Sequence, residues 1–399
     1  MKTFLQPLQN LAEMEEIQKQ AKKNRGILEI SGCMESQKAH LMYGLSGLFP
    51  CHLVIAADEK SAKELYEDYR FYDKRVYYYP AKDLLFFQAD IHGNLLIRQR
   101  MQVIRALLER EDEITVVTSI DGCMDYLAPL EKIEKQLIHF RNDSTLDMDK
   151  LTAALVHMGY ERVGQVEMPG QFSIRGGIID IYSLTEENPW RIELWGDEID
   201  SIRSFDAQSQ RSLENLDDVT IYPAAEQPME KNGVSFLDYF KETETLFFLD
   251  ELNHLEENAK AVQEEFQQSC ENRKEKGEIS LSGDWMCTWE ELCHKINDRN
   301  CVAMSLLDPK KSNWKISGQF NITVKSMSSY QSSFELLVKD LKQYKIEGYQ
   351  IVLLSGSRTR AERLAKDLQE EGLNAFYGQD SDRILQSGEI MVAYGHARR

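Results

Sequence analysis

Ile27-Leu28-Glu29-Ile30-Ser31-Gly32-Cys33-Met34-Glu35-Ser36-Gln37-Lys38-Ala39 opens as an apolar run, breaks at a glycine and continues into a helical pattern from Gln37 to Gly47. A strand that passes through a glycine turn into a helix is where a phosphate-binding loop belongs. The working motif is Gly, four residues, Gly-Lys, then Ser or Thr. Backbone N–H groups wrap the phosphates, the lysine reaches the terminal ones and the hydroxyl binds Mg²⁺. Gly32 and Lys38 keep that spacing, but Gln37 stands at the second glycine and Ala39 at the hydroxyl position. The first change adds a side chain where the backbone is apt to need positive φ. The second removes a metal ligand, and Glu35 sets a carboxylate where polyphosphate charge would sit, a short-range repulsion. Thr245-Leu246-Phe247-Phe248-Leu249-Asp250-Glu251 is an apolar strand ending in two acids, the form in which aspartate holds Mg²⁺ and glutamate orients water. Carboxylates without a phosphate cradle do not assemble that site. The sequence therefore predicts a degenerate P-loop (Gly32, Gln37, Lys38, Ala39) with a degenerate Walker B partner (Asp250, Glu251). No ATP hydrolysis and no cofactor are expected for this chain. The plainer alternative is that the Gly32/Lys38 spacing is chance in a fold that never held a nucleotide.

Around this loop the first 130 residues alternate strand and helix. Apolar strands are predicted at Ile27 to Ser31, His52 to Ala57, Val76 to Tyr79 and Ile114 to Thr118, with helical patterns through Gln37 to Gly47, Lys60 to Phe71 and Asn94 to Glu109. That alternation predicts a parallel sheet covered by helices. From about 227 the pattern is again mixed, with a long charged helix near Leu252 to Asn272 and a strand at Cys301 to Leu306. A fresh α/β unit begins near Ser332 and stops at Gly395 to Arg399, just after a strand, so a truncated last domain is expected.

Between these lies a segment of another kind, Phe172 to Asp206: FSIRGGIIDIYSLTEENPWRIELWGDEIDSIRSFD. Its period of two places Ile192 and Leu194 on one face and Arg191, Glu193 and Trp195 on the other. Treated as one strand, Phe172 to Ile178 puts Arg175 opposite Phe172, Ile174 and Ile178, and a hairpin across Thr185 to Pro189 would bring Arg175 near Trp195. Gly196-Asp197-Glu198 turns into a third strand, Ile199 to Phe205, completing a small meander. An exposed tryptophan flanked by arginines is the composition of interface hot spots. The bland alternative has Trp195 covering the core edge and the arginines paired with Glu193 and Asp197.

Composition narrows the functional classes. A chain of 399 residues, 42% hydrophobic, forms two to four folded domains. No apolar run approaches the length of a membrane span and no charged-then-apolar leader opens the chain, so a cytoplasmic protein without a membrane partner is expected. Seven cysteines form no CxxC pair. Cys287, Cys293, His294 and Cys301 cluster loosely but match no common zinc spacing, so reduced thiols and no metal are predicted. A net charge of −19, from 66 acidic against 47 basic residues, disfavours strong DNA binding, which needs clustered cations against the phosphates. The short basic groups at Lys19, Lys22, Lys23 and Arg25 and at Lys310, Lys311 and Lys315 suit solvated helix ends and loops.

RGGIIDIY (Arg175 to Tyr182), RIELWGDEIDSIR (Arg191 to Arg203) and FDAQSQRS (Phe205 to Ser212) resemble the small second domain shared by the excision-repair protein UvrB and the bacterial transcription-repair coupling factors, the latter more closely. The resemblance runs from about residue 5 to the end of the chain. It implies an α/β fold: a degenerate P-loop NTPase-like parallel-sheet domain with an inserted small β-rich domain, followed by a second small α/β domain. The implied boundaries are 1–158 and 227–330 for the two parts of the nucleotide-binding-type domain, 159–226 for the insertion and 331–399 for the last domain. It further implies that the insertion recruits UvrA through two arginines and an aromatic, falling here on Arg175, Arg191 and Trp195, where the family more often has phenylalanine at the last position. In such factors, contacts to RNA polymerase and double-stranded DNA, and use of ATP and Mg²⁺ by a translocase motor, lie in later domains. The segment IVLLSGSRTRAERLAKDL (Ile351 to Leu368) is similar to the second motor half of helicases but has no phosphate loop. Leu84 to Gly93 occupies the place of the DNA-clamping hairpin of UvrB, yet is short and poor in aromatics after Phe87. The competing class is a UvrB-type DNA-dependent ATPase, against which Gln37, Ala39 and the acidic charge speak.

Overall fold

The structure, a computed structural model, describes residues 2–23, 25–82, 94–226, 233–275, 286–307, 314–324, 330, 333–378 and 382–395. The segment Leu84 to Gly93 and the lysines Lys310 and Lys311 lie outside these. The chain divides into two compact units, Met1–Val76 with Glu242–Glu257 and Cys293–Arg399, and Tyr77–Lys241 with Asn258–Leu292.

In the first unit five parallel strands lie in the order Ile316–Asn321, Gly26–Ser31, Asn300–Ser305, Thr245–Asp250, Cys51–Ala56. Every residue of Gly26–Ser31 and Thr245–Asp250 is buried, as befits parallel strands covered on both faces and read in sequence as unbroken apolar runs. Strand Thr245–Asp250 sits between Cys51–Ala56 and Asn300–Ser305, so segments on either side of the Phe172 to Asp206 meander share one sheet and the meander belongs to an insertion. Ile316–Asn321, ISGQFN, was not anticipated, because it is polar and half-exposed. Its place is fixed by parallel pairing with Gly26–Ser31 and by Gln319, whose amide donates to the buried Glu29 carboxylate at 2.8 Å. The last domain is a three-stranded parallel sheet, Ile351–Ser355, Ile390–Tyr394, Ala375–Tyr377, packed by helices Phe334–Ile346 and Arg358–Glu370 capped by Ser333 and Ser357. Among the described residues no helix is long and apolar enough to cross a membrane, and all seven cysteines are free thiols.

The β-rich part of the second unit is a six-stranded sheet in the order Ser212–Leu216, Glu198–Phe205, Trp190–Trp195, Ile178–Ile181, Gln171–Arg175, Glu161–Arg162, antiparallel except for the last pair. Its inner face packs Phe172, Ile179, Ile181, Ile192, Ile199 and Ile202 against Leu151 and Leu155 of helix Met148–His157, with Phe140 and Val219 from the paired strands Ile138–Arg141 and Asp218–Ile221. The sequence boundary at 158/159 cuts through this core. Residues 138–158 complete the inner face of the inserted sheet, a partnership between distant segments that local periodicity does not carry.

The insertion is tied back by one buried cation. Arg100 on helix Asn94–Leu108 is fully buried and donates to the Pro80 carbonyl at 2.8 Å, Asp125 at 2.9 Å and Glu226 at 2.6 Å. Its guanidinium lies 4.2 Å from the Tyr79 ring centroid, and Tyr79 stacks on Phe236 on its other side. Lys82 also pairs with Glu226. Burial works to raise the Glu226 carboxyl, but Arg100 and Lys82 outweigh it and hold it down at about 2. A depressed carboxyl stabilises the fold fully above its unfolded value near 4.5 and loses that contribution as pH falls toward about 2. Glu226→Gln should therefore lower unfolding free energy at neutral pH by about 3–5 kcal/mol, the cost of stranding a buried cation. Urea denaturation across the acid range should show the gap between parent and variant closing below pH 4.5.

Candidate partner-docking face and remnant phosphate loop

The outer face of the six-stranded sheet is set by two glycine turns. Arg175 and Ile178 pair across Gly176-Gly177, and Gly176 has φ +60°, the positive first position of a tight two-residue hairpin. Phe172 to Ile178 is therefore two strands and not one. The reversal moves Ile178 to the outer face and turns Ile179 and Ile181 inward, correcting the parity expected from an unbroken strand. The same device recurs at Gly196-Asp197, where Gly196 has φ +65° and Trp195 pairs with Glu198. A β-bulge leaves Asp200 unpaired between Ser201, opposite Glu193, and Ile199, opposite Leu194. Ile199 and Ile202, three apart, thus both point into the core.

On this face Arg175 and Arg191 come together, but on Asp180. Arg191 faces Asp180 across the Ile178–Ile181 strand pair. It donates to both carboxylate oxygens, at 2.7 and 2.9 Å, and Arg175 adds a bond at 2.7 Å from the other side. Asp180 has no exposed surface. Three charge-assisted bonds satisfy a carboxylate that would be costly to bury alone. Arg191 also donates to Gln210 at 3.0 Å and lies 4.4 Å over the Phe205 ring, leaving it 13% exposed, whereas Arg175 is 48% exposed. Glu193, offered as an arginine partner, is taken by Arg203. The Trp195 side chain is 83% exposed and makes no hydrogen bond or ring contact among the described residues, so it does not cover the core edge. Phe205, Gln210 and Asp180 were not singled out as site residues by the sequence. The Gly176-Gly177 turn sets Asp180 opposite Ser173, on the face that carries Arg175, and the pairing of the next strand sets it opposite Arg191.

The loop Gly32 to Ala39 is closed by its own residues. Helix Glu35–Ser46 starts after Met34 without a side-chain cap. Lys38, 1% exposed, donates to Asp250 at 2.6 Å and Glu251 at 2.8 Å. Burial works against the Lys38 ammonium, but Asp250 and Glu251 hold its pKa above the ordinary value, so it stays charged. Glu251 takes a left-handed backbone, φ +54°, and its carboxylate also accepts from the Leu306 N–H at 2.9 Å. Gly32 has φ +81°, and a Cβ there would lie 2.1 Å from the Ile322 carbonyl, whose own N–H donates to Ser31. Ala39 is fully buried. Burial pushes the Cys33 thiol up to about 12, making it an inert neighbour.

Residues 138–226 match the family model described as the UvrB interaction domain. The transcription-repair-coupling factor of Bacillus subtilis (strain 168) is 28% identical, the match covering 92% of this chain and 37% of the relative. That of Staphylococcus haemolyticus is 25% identical over 80% of this chain and 32% of the relative. That of Staphylococcus aureus (strain USA300) is 35% identical over 41% of this chain and 14% of its own length. The chain spans about a third of the length of the first two of these curated relatives. Over most of its length this chain is therefore similar to transcription-repair-coupling factors, and the face carrying Arg175, Arg191 and Trp195 falls inside its match to the UvrB interaction domain.

Proposed function

We propose that this chain is a UvrA-recruiting module of transcription-coupled nucleotide excision repair, acting by docking and not by catalysis. The observation that carries this reading is Trp195, 83% exposed on the strand that also carries Arg191, inside the segment that matches the UvrB interaction domain. An aromatic of this size left bare on a strand that carries a fixed guanidinium group suits the centre of an interface. The remnant loop supports the same reading, since the hydrogen bonds a phosphate would need from Lys38 go to Asp250 and Glu251. Contacts with RNA polymerase and double-stranded DNA, and an ATP- and Mg²⁺-dependent translocase, belong in this proposal to parts of a longer protein beyond these residues.

Trp195→Ala should leave unfolding free energy within about 0.5 kcal/mol of the parent, as for a surface side chain with no partner. In a calorimetric titration with purified UvrA it should cost about 2 kcal/mol or more, roughly a thirtyfold loss of affinity. Unchanged affinity would remove the docking assignment. Titration with Mg-ATP should show no saturable micromolar binding; a saturable isotherm would favour a UvrB-type ATPase instead. Lys38→Ala should lower stability by about 3 kcal/mol, because the buried Asp250 and the half-buried Glu251 lose their counter-charge.

A further inference from the structure

We infer that Asp180 is the positioning residue of the docking face, acting through Arg175; the inference rests on the docking reading above. Asp180 has no exposed surface, so it does not touch a partner. Its carboxylate is the only group among the described residues that holds Arg175, through one bond at 2.7 Å, while Arg191 grips both oxygens from the opposite side. Arg191 is itself fixed by Gln210 and by its seat on Phe205. The order of support therefore runs from Phe205 and Gln210 through Arg191 to Asp180, and from Asp180 to Arg175. Arg175 is the end of that chain and its half-exposed member, with the rest of its guanidinium free toward solvent. Arg191, 13% exposed, is a brace and not a principal contact.

An arginine loses rotamer freedom when it enters an interface, and that loss weakens association. Asp180 imposes the restriction before the partner arrives, so the side chain meets UvrA already aimed. The sheet register makes this possible: Ser173, Asp180 and Arg191 lie side by side on three adjacent strands, with Arg175 two residues along from Ser173 on the same face.

The test is a double-mutant cycle between Asp180→Asn and Arg175→Ala, read as affinity for purified UvrA by calorimetry, with thermal unfolding recorded for each variant. Asp180→Asn alone should weaken binding about tenfold. In the Arg175→Ala background the same change should do nothing beyond about twofold, because the group it positions is gone. Equal loss in both backgrounds, or none in either, overturns the inference. Should Asp180→Asn not fold, Asp180→Glu keeps the charge and displaces it by one methylene; it should weaken binding, and full affinity would overturn the inference. Failure of both variants to fold also overturns it, since the carboxylate would then serve the fold and not the face. Trp195→Ala is the control that separates the two proposals: if it binds UvrA like the parent, the docking reading itself has failed, whatever the cycle returns.

Discussion

Strand Thr245–Asp250 has a neighbour on each side, Cys51–Ala56 and Asn300–Ser305, and the architecture follows from that placement. Parallel neighbours need a crossover, and here the crossover between Cys51–Ala56 and Thr245–Asp250 contains nearly two hundred residues. The β-rich sheet is thus an excursion that begins and ends beside the same pair of strands. The same strand carries Asp250 to its end, where Lys38 meets it from the helix after Gly26–Ser31. One buried ion pair therefore joins the helix after Gly26–Ser31 to the end of Thr245–Asp250, and removing either charge would strand the other in a poorly solvated site.

The parallel strands were legible in sequence because burial on both faces leaves continuous apolar runs, as in Leu246 to Leu249. Helix Glu59–Tyr72 was legible from its helical pattern, expected at Lys60 to Phe71. Ile316–Asn321 was not, since an edge strand held by pairing and by the Gln319–Glu29 bond needs no apolar pattern. Nor was the membership of Phe140, Leu151 and Leu155 in the inserted core, which depends on contacts far apart in the chain.

On the candidate face, alternation showed an arginine-tryptophan side and the resemblance narrowed it to Arg175, Arg191 and Trp195, but neither ranked them. Ranking needs register, and register turned on Gly176-Gly177, two residues that read equally well as part of a strand until φ at Gly176 is known. The turn puts Asp180 beside Ser173 and on the face of Arg175, and the neighbouring strand pair puts it opposite Arg191. The two arginines then separate by exposure, one an embedded brace and one a half-free arm.

The Ile322 carbonyl stands 2.1 Å from where a Cβ on Gly32 would lie. Substituting Gly for Gln37 and Thr for Ala39 would restore the letters of a phosphate motif while leaving Lys38 bound to two acids and the Ile322 carbonyl against the loop. A phosphate cradle at this place would therefore demand changes that the motif does not name, at the acids that hold Lys38 and in the segment that carries Ile322.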